Sequence, residues 1–284
     1  MIYGLVAALG WGLADFGGAV VGRRIGSLAT VLVSQTFNVV VMTMIFVAGG
    51  YTVGALGPYI GFVFLNGLAS AAAYVTHYRA LELGPVAVVS PVGATYAVVG
   101  VALAMVVLGE RPSPLAIAGG AVTVLGVMLA STDLRKVGES VHKQRPAGLP
   151  WALASAVLFG IGGFLLGYLS RRVGWVTGLW ASRMAQFAAF AVFALFRRPD
   201  GSGIGWNRWT AGALGVGLAD LLGVIAYSSG AVAGYISIVL AASAVFPLIA
   251  VVLSIALLHE RPVPNQYLGI ALVITGLMLL GLGS

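Results

Sequence analysis

The 284-residue chain contains no cysteine, which excludes disulfides, thiolate metal sites and a cysteine nucleophile together. Charge is almost as scarce: Asp, Glu, Lys and Arg make up 8% of the residues, against about 25% in soluble domains. The three histidines, His77, His142 and His259, stand far apart and offer no metal-ligand spacing, so neither a metal nor a cofactor is implied. A phosphate-binding Gly-x-x-x-x-Gly-Lys-Ser/Thr loop is missing, which argues against ATP drive by this chain. The net charge of +7 is spread singly or in pairs between apolar runs, a topology signal rather than a nucleic-acid patch. The first residues, MIYGLVAALGWGLADFGGAV, lack a basic n-region and an A-x-A cleavage site and are expected to be a retained helix.

What is abundant is apolar and small. Hydrophobic residues make up 60% of the chain and there are 41 glycines, the composition of transmembrane helices whose backbones approach closely. A hydrocarbon core of about 30 Å needs roughly 20 apolar residues per helix. With breaks where Gly, Pro and charge cluster, the spans fall near 2–20, 28–48, 58–80, 85–107, 114–131, 149–169, 176–196, 209–229, 235–257 and 265–283. The expected fold is therefore an all-α integral membrane protein with ten transmembrane helices. The one long polar stretch, at 131–148, divides it into a first five-helix unit (1–131), a basic linker (132–148) and a second five-helix unit (149–284).

The two units repeat one another. Shifting residues 80–131 onto 230–281 without a gap places Gly84 on Gly234, Glu110-Arg111-Pro112 on Glu260-Arg261-Pro262, Pro114 on Pro264, Gly119 on Gly269 and Gly126 on Gly276. Near the front of each unit RRIG at 23–26 matches RRVG at 171–174. Five is an odd number of spans, so the second unit must enter the membrane from the opposite side. The repeats are inverted, an architecture suited to alternating access around a midplane cavity. In each ERPxP copy the prolines are expected to end one helix and begin the next, with Glu110-Arg111 and Glu260-Arg261 as ion pairs at the membrane surface. Loop charge sets orientation. Arg23, Arg24, Arg79, Arg135, Lys136, Lys143, Arg145, Arg197, Arg198, Arg208 and Arg261 fall on one side, and only Arg111, Arg171 and Arg172 on the other. The positive-inside rule makes the first side cytoplasmic and puts both termini outside.

The ten spans, the duplication, and the segments ALELGPVAVVSPVGATYAVVGVALAMVVLGERPSP and AVAGYISIVLAASAVFPLIAVVLSIALLHERPVP resemble the drug/metabolite transporter superfamily. Within it the chain is similar to ten-helix EamA-type exporters, of which YddG-type amino acid exporters are one branch. The resemblance covers both halves and implies export of amino acids, their metabolites or toxic cations from a bacterial-type inner membrane, a monomer being sufficient. Many members are described with cytoplasmic termini, the reverse of what these loop charges give.

An ionisable group at bilayer depth costs about 2.5–3.5 kcal/mol on insertion scales, so each needs a reason. Asp220 lies about eleven residues into the eighth span, near the midplane, and has two readings: a proton-coupling or substrate-contacting carboxylate, or a structural partner of Arg183. Asp15 lies too far along its helix from Arg23 for direct contact and needs a cavity or another helix. Arg183 could hold a substrate carboxylate or simply neutralise an acid. His77 shares a helical face with Tyr74 and Tyr78, and this face is either an aromatic wall for a ring or cation, or an interfacial belt. Asp15 and His77 join Asp220 as proton-coupling candidates. Mid-helix Pro91 and Pro247 mark the fourth and ninth spans as cavity walls and hinges, with Ser90, Tyr96, Ser243 and Phe246 beside them. Trp11, Gln35, Phe159, Trp180 and Tyr227 complete the cavity candidates; the tryptophans could equally be packing.

The expected function is a secondary exporter of small organic metabolites, amino acids first and organic cations second, with the lipid bilayer, the solute and protons as partners. A rival from another class is an intramembrane aspartyl protease, since two acids lie within spans. Such proteases pair Tyr-Asp with Gly-x-Gly-Asp, whereas here Ala14 precedes Asp15 and Gly217-Leu218-Ala219 precedes Asp220, so both motifs fail.

Overall fold

The computed structural model describes residues 1–83, 92–132, 134, 148–196, 207–258 and 263–283, and among them there is no strand. In chain order the helices are α1 (Ile2–Ile25), α2 (Ser27–Ala48), a 3₁₀ turn (Gly54–Tyr59), α3 (Ile60–Leu83), α4 (Tyr96–Leu108), α5 (Pro114–Ala130), α6 (Leu149–Val173), α7 (Trp175–Phe196), α8 (Arg208–Ala233), α9 (Ile236–Ser243), α10 (Phe246–Leu258) and α11 (Pro264–Leu282). Among the described residues six segments are long and apolar enough to cross a membrane, those of α1, α2, α3, α6, α8 and α11; α4, α5 and α9 with the start of α10 are shorter apolar helices. The protein is a multi-pass membrane protein of ten transmembrane helices, α9 and α10 forming the ninth, in two inverted five-helix repeats. Most of the polar stretch at 131–148 lies outside the described residues.

Large apolar side chains point outward, among them Phe64, Leu68, Val106 and Leu282, while the interior is built from small residues such as Ala7, Ala73, Ala97 and Ala152. This arrangement fits a lipid solvent, in which burying Leu gains little but close backbone packing gains dispersion. Helix ends follow local chemistry. Ser113 accepts from the Ala116 N–H at 3.1 Å to cap α5, Asn207 Oδ1 accepts from the Trp209 and Thr210 N–H groups to cap α8, and Pro114 and Pro264 occupy the first turns of α5 and α11. The matched RRIG and RRVG turns have the same backbone: Gly26 at φ 84°, ψ 146° and Gly174 at φ 83°, ψ 149°, a region that favours glycine.

The repeats meet antiparallel, and glycines set their separation. Gly119 lies against Gly276 and Leu280, and Gly126 against Gly269 and Val273, so α5 and α11 cross through the very glycines that match one another in the repeat. A Cβ on Gly126 would come within 2.6 Å of Val273 N, and one on Gly269 within 2.7 Å of the Ala130 Cα and the Gly126 carbonyl. Likewise Gly10 of α1 lies against Gly223 of α8, and Gly162 of α6 against Ser70 of α3, so the pair α1–α8 is repeated as α6–α3.

The fourth span departs from expectation. Residues 84–91 lie outside the described residues, and the remainder is broken at Ala94-Thr95 before α4 begins at Tyr96. The ninth span breaks at Ala244-Val245, the same place at the repeat offset. Both breaks are tight i→i+3 turns, Val98 N–H to Thr95 O at 3.0 Å and Leu248 N–H to Val245 O at 2.9 Å. Hydroxyls assist, Thr95 donating to Val92 O and Ser243 to Leu240 O. Pro247 sits in the first turn after its break, and the equivalent residue in the first repeat is Ala97; Pro91 lies outside the described residues.

Replacing Gly269 with Ala should force α5 and α11 apart at a cost of about 1–3 kcal/mol, the scale of overpacking. Gly61→Ala, where no atom lies within 4 Å of the added carbon, should be neutral or stabilising by up to about 1 kcal/mol. Thermal unfolding of the two purified variants in detergent separates these outcomes, and equal melting temperatures would refute the glycine-contact account.

Candidate functional site

Three helices from both repeats build a buried polar cluster. Asp220 of α8 takes all of its described hydrogen bonds on one oxygen: Oδ2 accepts from Asn38 Nδ2 at 2.6 Å, Arg183 Nη2 at 3.1 Å and Gln35 Nε2 at 3.4 Å. Arg183 of α7 also donates from Nη1 to Gln35 Oε1 at 3.0 Å and to Gln186 Oε1 at 2.9 Å. The side chains of Arg183 and Asp220 are 9% and 11% exposed, so the ion pair sits inside the bundle with side-chain amides adding hydrogen bonds to both ions. That geometry is what a buried pair requires if desolvation is to be offset.

Arg183 and Asp220 were expected to meet, and they do. Asn38 and Gln186 were not anticipated, yet the sequence carries them. The offset of 148 that puts Arg23 on Arg171 also puts Gln35 on Arg183 and Asn38 on Gln186. Each repeat thus offers two polar groups at i and i+3 on the same helix, one face by helical spacing. Gln35 touches its own counterpart, Arg183, which places the pseudo-two-fold axis between them. Tyr96 and Phe246, counterparts at the offset of 150, also touch, with ring centroids 6.0 Å apart.

Asp15 occupies a different position. Its side chain is exposed, and it lies close enough to Asp220, Tyr74 and Tyr96 to interact electrostatically with all three, so its neighbours belong to the polar cluster and to the broken helices. Among the described residues Asp15 has no cationic partner; the charge of Arg183 is taken by Asp220. The Tyr74 hydroxyl also lies beside Arg183. Tyr96 and Ser243 share a 2.7 Å hydrogen bond that joins the two helix breaks across the repeats.

The aromatic candidates separate into groups. Tyr74 packs edge-on to Phe159 at 5.1 Å and tilted on Phe190 at 5.9 Å, and His77 lies 6.0 Å from Phe159, forming a wall between α3, α6 and α7. Tyr78 is on α3, but its side chain is outside the described residues, as are Ser90 and Pro91 entirely. Trp180 stacks on Phe46 at 4.1 Å and donates to Thr43, so it serves the α2–α7 contact. Tyr227 is fully buried beside Trp11, at 5.8 Å, and gives its hydroxyl to Gly163 O. Trp180 and Tyr227 thus act in packing rather than as free cavity surface. An apolar crevice of ≈ 440 Å³ between α1 and α8, lined by Leu13, Phe16, Val20 and Val216, lies on the side of α1 away from Asp15 and contains none of this chemistry.

One expectation about the repeated turn needs correction. Glu110 is 6% exposed and pairs with Arg171 of the second repeat at 2.7 Å, not with Arg111 at the surface. The reason is tertiary: the turn after α4 delivers Glu110 to the end of α6 and the start of α9, where it finds several donors. Glu260 and Arg261 lie outside the described residues.

One solved crystal structure, described only as that of a protein, has the same fold, with a TM-score of 0.77, 18% sequence identity, and coverage of 99% of this chain and 96% of its own. No curated protein matches the sequence. The model of the EamA-like transporter family matches twice, over residues 1–132 and 146–282. With both repeats matched, the chain belongs to the EamA-like transporter family.

Proposed function

We propose that the protein is a secondary-active exporter of small organic metabolites, amino acids in the first instance, working by alternating access of its inverted repeats. The observation that carries this reading is the balance of charge around the polar cluster: among the described residues Asp15 and Asp220 lie near one base, Arg183, which is already paired. Asp220 and Arg183 form a hydrogen-bonded unit, and on this reading Asp15, exposed and without a counter-ion among the described residues, faces an internal space between the repeats. A carboxylate so placed can take a proton, or a substrate ammonium, where Asp220 cannot without abandoning Arg183. The coupling role thus moves from Asp220 to Asp15, and Asp220 becomes the group that positions Arg183. A substrate carboxylate would be drawn toward Arg183 on the side where Tyr74 lies beside it.

A second reading has its own support. The same excess acid beside Tyr74 and Tyr96 suits an organic cation held by charge and aromatic faces, with no need for a carboxylate. Proteoliposome counterflow distinguishes the two readings. An amino acid should compete with labelled substrate at least tenfold better than the amine left by its decarboxylation, a margin of about 1.4 kcal/mol. Equal competition would give the site to cations, and no flux of any solute would end the transporter reading for this chain.

Asp15→Asn should remove the pH dependence of net export while leaving solute exchange in place. Asp220→Asn should instead lower stability by about 3–5 kcal/mol, because Arg183 is left buried without its partner. Flux at several pH values, together with thermal unfolding of both variants, checks the assignment. Loss of pH dependence in Asp220→Asn with normal stability would return the coupling role to Asp220.

Orientation can be read directly because the chain has no cysteine. A single cysteine at Val53, exposed in the connection after α2, lies on the same face as the termini. In spheroplasts of a bacterial inner membrane it should react with an impermeant maleimide if loop charge places the termini outside. Protection until the membrane is opened would place them in the cytoplasm.

A further inference from the structure

The polar chemistry that the central site does not absorb is gathered at one point, on the membrane face that carries the termini. Glu110 Oε1 accepts from the Ile236 N–H at 2.9 Å, and Oε2 accepts from the Ser237 N–H at 3.0 Å and the Ser237 hydroxyl at 2.7 Å. These are the first N–H groups of α9, whose own N-cap, Tyr235, contributes no side-chain bond. The carboxylate therefore caps the half-helix in trans, from the other repeat, with charge of the sign that a helix N-terminus attracts. Arg171, 2.7 Å from Glu110, also donates to Ala231 O at 2.6 Å and to Gly234 O, the carbonyls at the end of α8. One ion pair thus fastens the end of α4, the end of α6, the end of α8 and the start of α9.

α9 is the half of the ninth span that runs inward from this pair to Ser243 and the break at 244–245, beside the internal space. Moving α9 away from α4 would open that space toward the terminus-bearing face, and it cannot move without breaking the Glu110 contacts. We infer that Glu110 and Arg171 form the latch that holds this face closed, and that the cap on α9 is its releasable part. The inference rests on the alternating-access reading above. The latch is removed from substrate chemistry: Ser243 lies seven residues along α9 from Ile236, about 10 Å away.

The test uses accessibility rather than transport. A lone cysteine at Ser243 is labelled with an impermeant maleimide applied to one face of sealed vesicles, the faces being identified by a cysteine at Val53. Glu110→Gln should raise labelling from the terminus-bearing face roughly tenfold, the scale expected for losing a charge-assisted hydrogen bond. Arg171→Gln should act in the same direction and Ser237→Ala more weakly. Arg172→Gln, which removes the adjacent exposed cation stacked over Tyr168, should have no effect. Unchanged labelling in Glu110→Gln, or an equal rise from both faces, overturns the latch; Ser237→Ala carries the same decision if Glu110→Gln does not fold. If solute leaves labelling of the otherwise unaltered protein unchanged at both faces, alternating access fails, while the Glu110 comparison still decides whether this pair closes the face.

Discussion

A charge held at bilayer depth has to be matched there, and the match fixes which helices can separate. Arg183 is bound to Asp220 and to amides from α2 and its own α7, so α2, α7 and α8 are tied together near the middle of the bundle. Removing either ion leaves the other desolvated, so the pair holds these three helices together. What varies in a transport cycle must then be something the cluster leaves free. Asp15 on α1 and the divided spans beside it are the parts that meet this condition.

Inversion explains why the important contacts join residues that the sequence places far apart. A two-fold axis in the membrane plane brings counterparts together only if they lie near it, and Gln35 with Arg183, Tyr96 with Phe246, and the crossing glycines of α5 and α11 all do so. The glycines keep the axis symmetric because no side chain can intervene. The polar pairs on it do not: Gln faces Arg, and Tyr faces Phe. Symmetry of backbone with asymmetry of chemistry is what the proposed cycle requires, two pseudo-equivalent gates around a site that has a charge pattern of its own.

Much of this could be read from the residues. Among the described residues span limits follow hydropathy closely because each transmembrane helix must be apolar throughout, and the ERPxP and Gly matches carry the repeat register. Arg183 meeting Asp220 followed from the cost of an unmatched charge. The fourth and ninth spans were expected to hinge at Pro91 and Pro247; Pro91 lies outside the described residues, Pro247 directly follows the break at Ala244-Val245, and the break at Ala94-Thr95, made by a hydroxyl bond and a tight turn, carries no sequence mark. Glu110 was placed at the surface because its partners, at 171, 236 and 237, belong to other elements, and no local pattern names them. Asn38 and Gln186 were legible all along, provided that the offset of the RRIG and RRVG turns was carried into the next helix.

The location of Glu110 bears on how such a machine keeps its two ends independent. Its carboxylate offsets two costs that breaking a transmembrane helix creates, the bare N–H groups at the start of α9 and, through Arg171, the bare carbonyls at the end of α8. In lipid those groups have no water to turn to, so the broken helix is held in place by a residue of the opposite repeat. A device that satisfies a broken helix in one state and releases it to a water-filled opening in another changes little in total hydrogen bonding. On the proposed alternating-access cycle, motion at this face then needs no large driving energy, and a small solute that binds one state more tightly than the other would bias it.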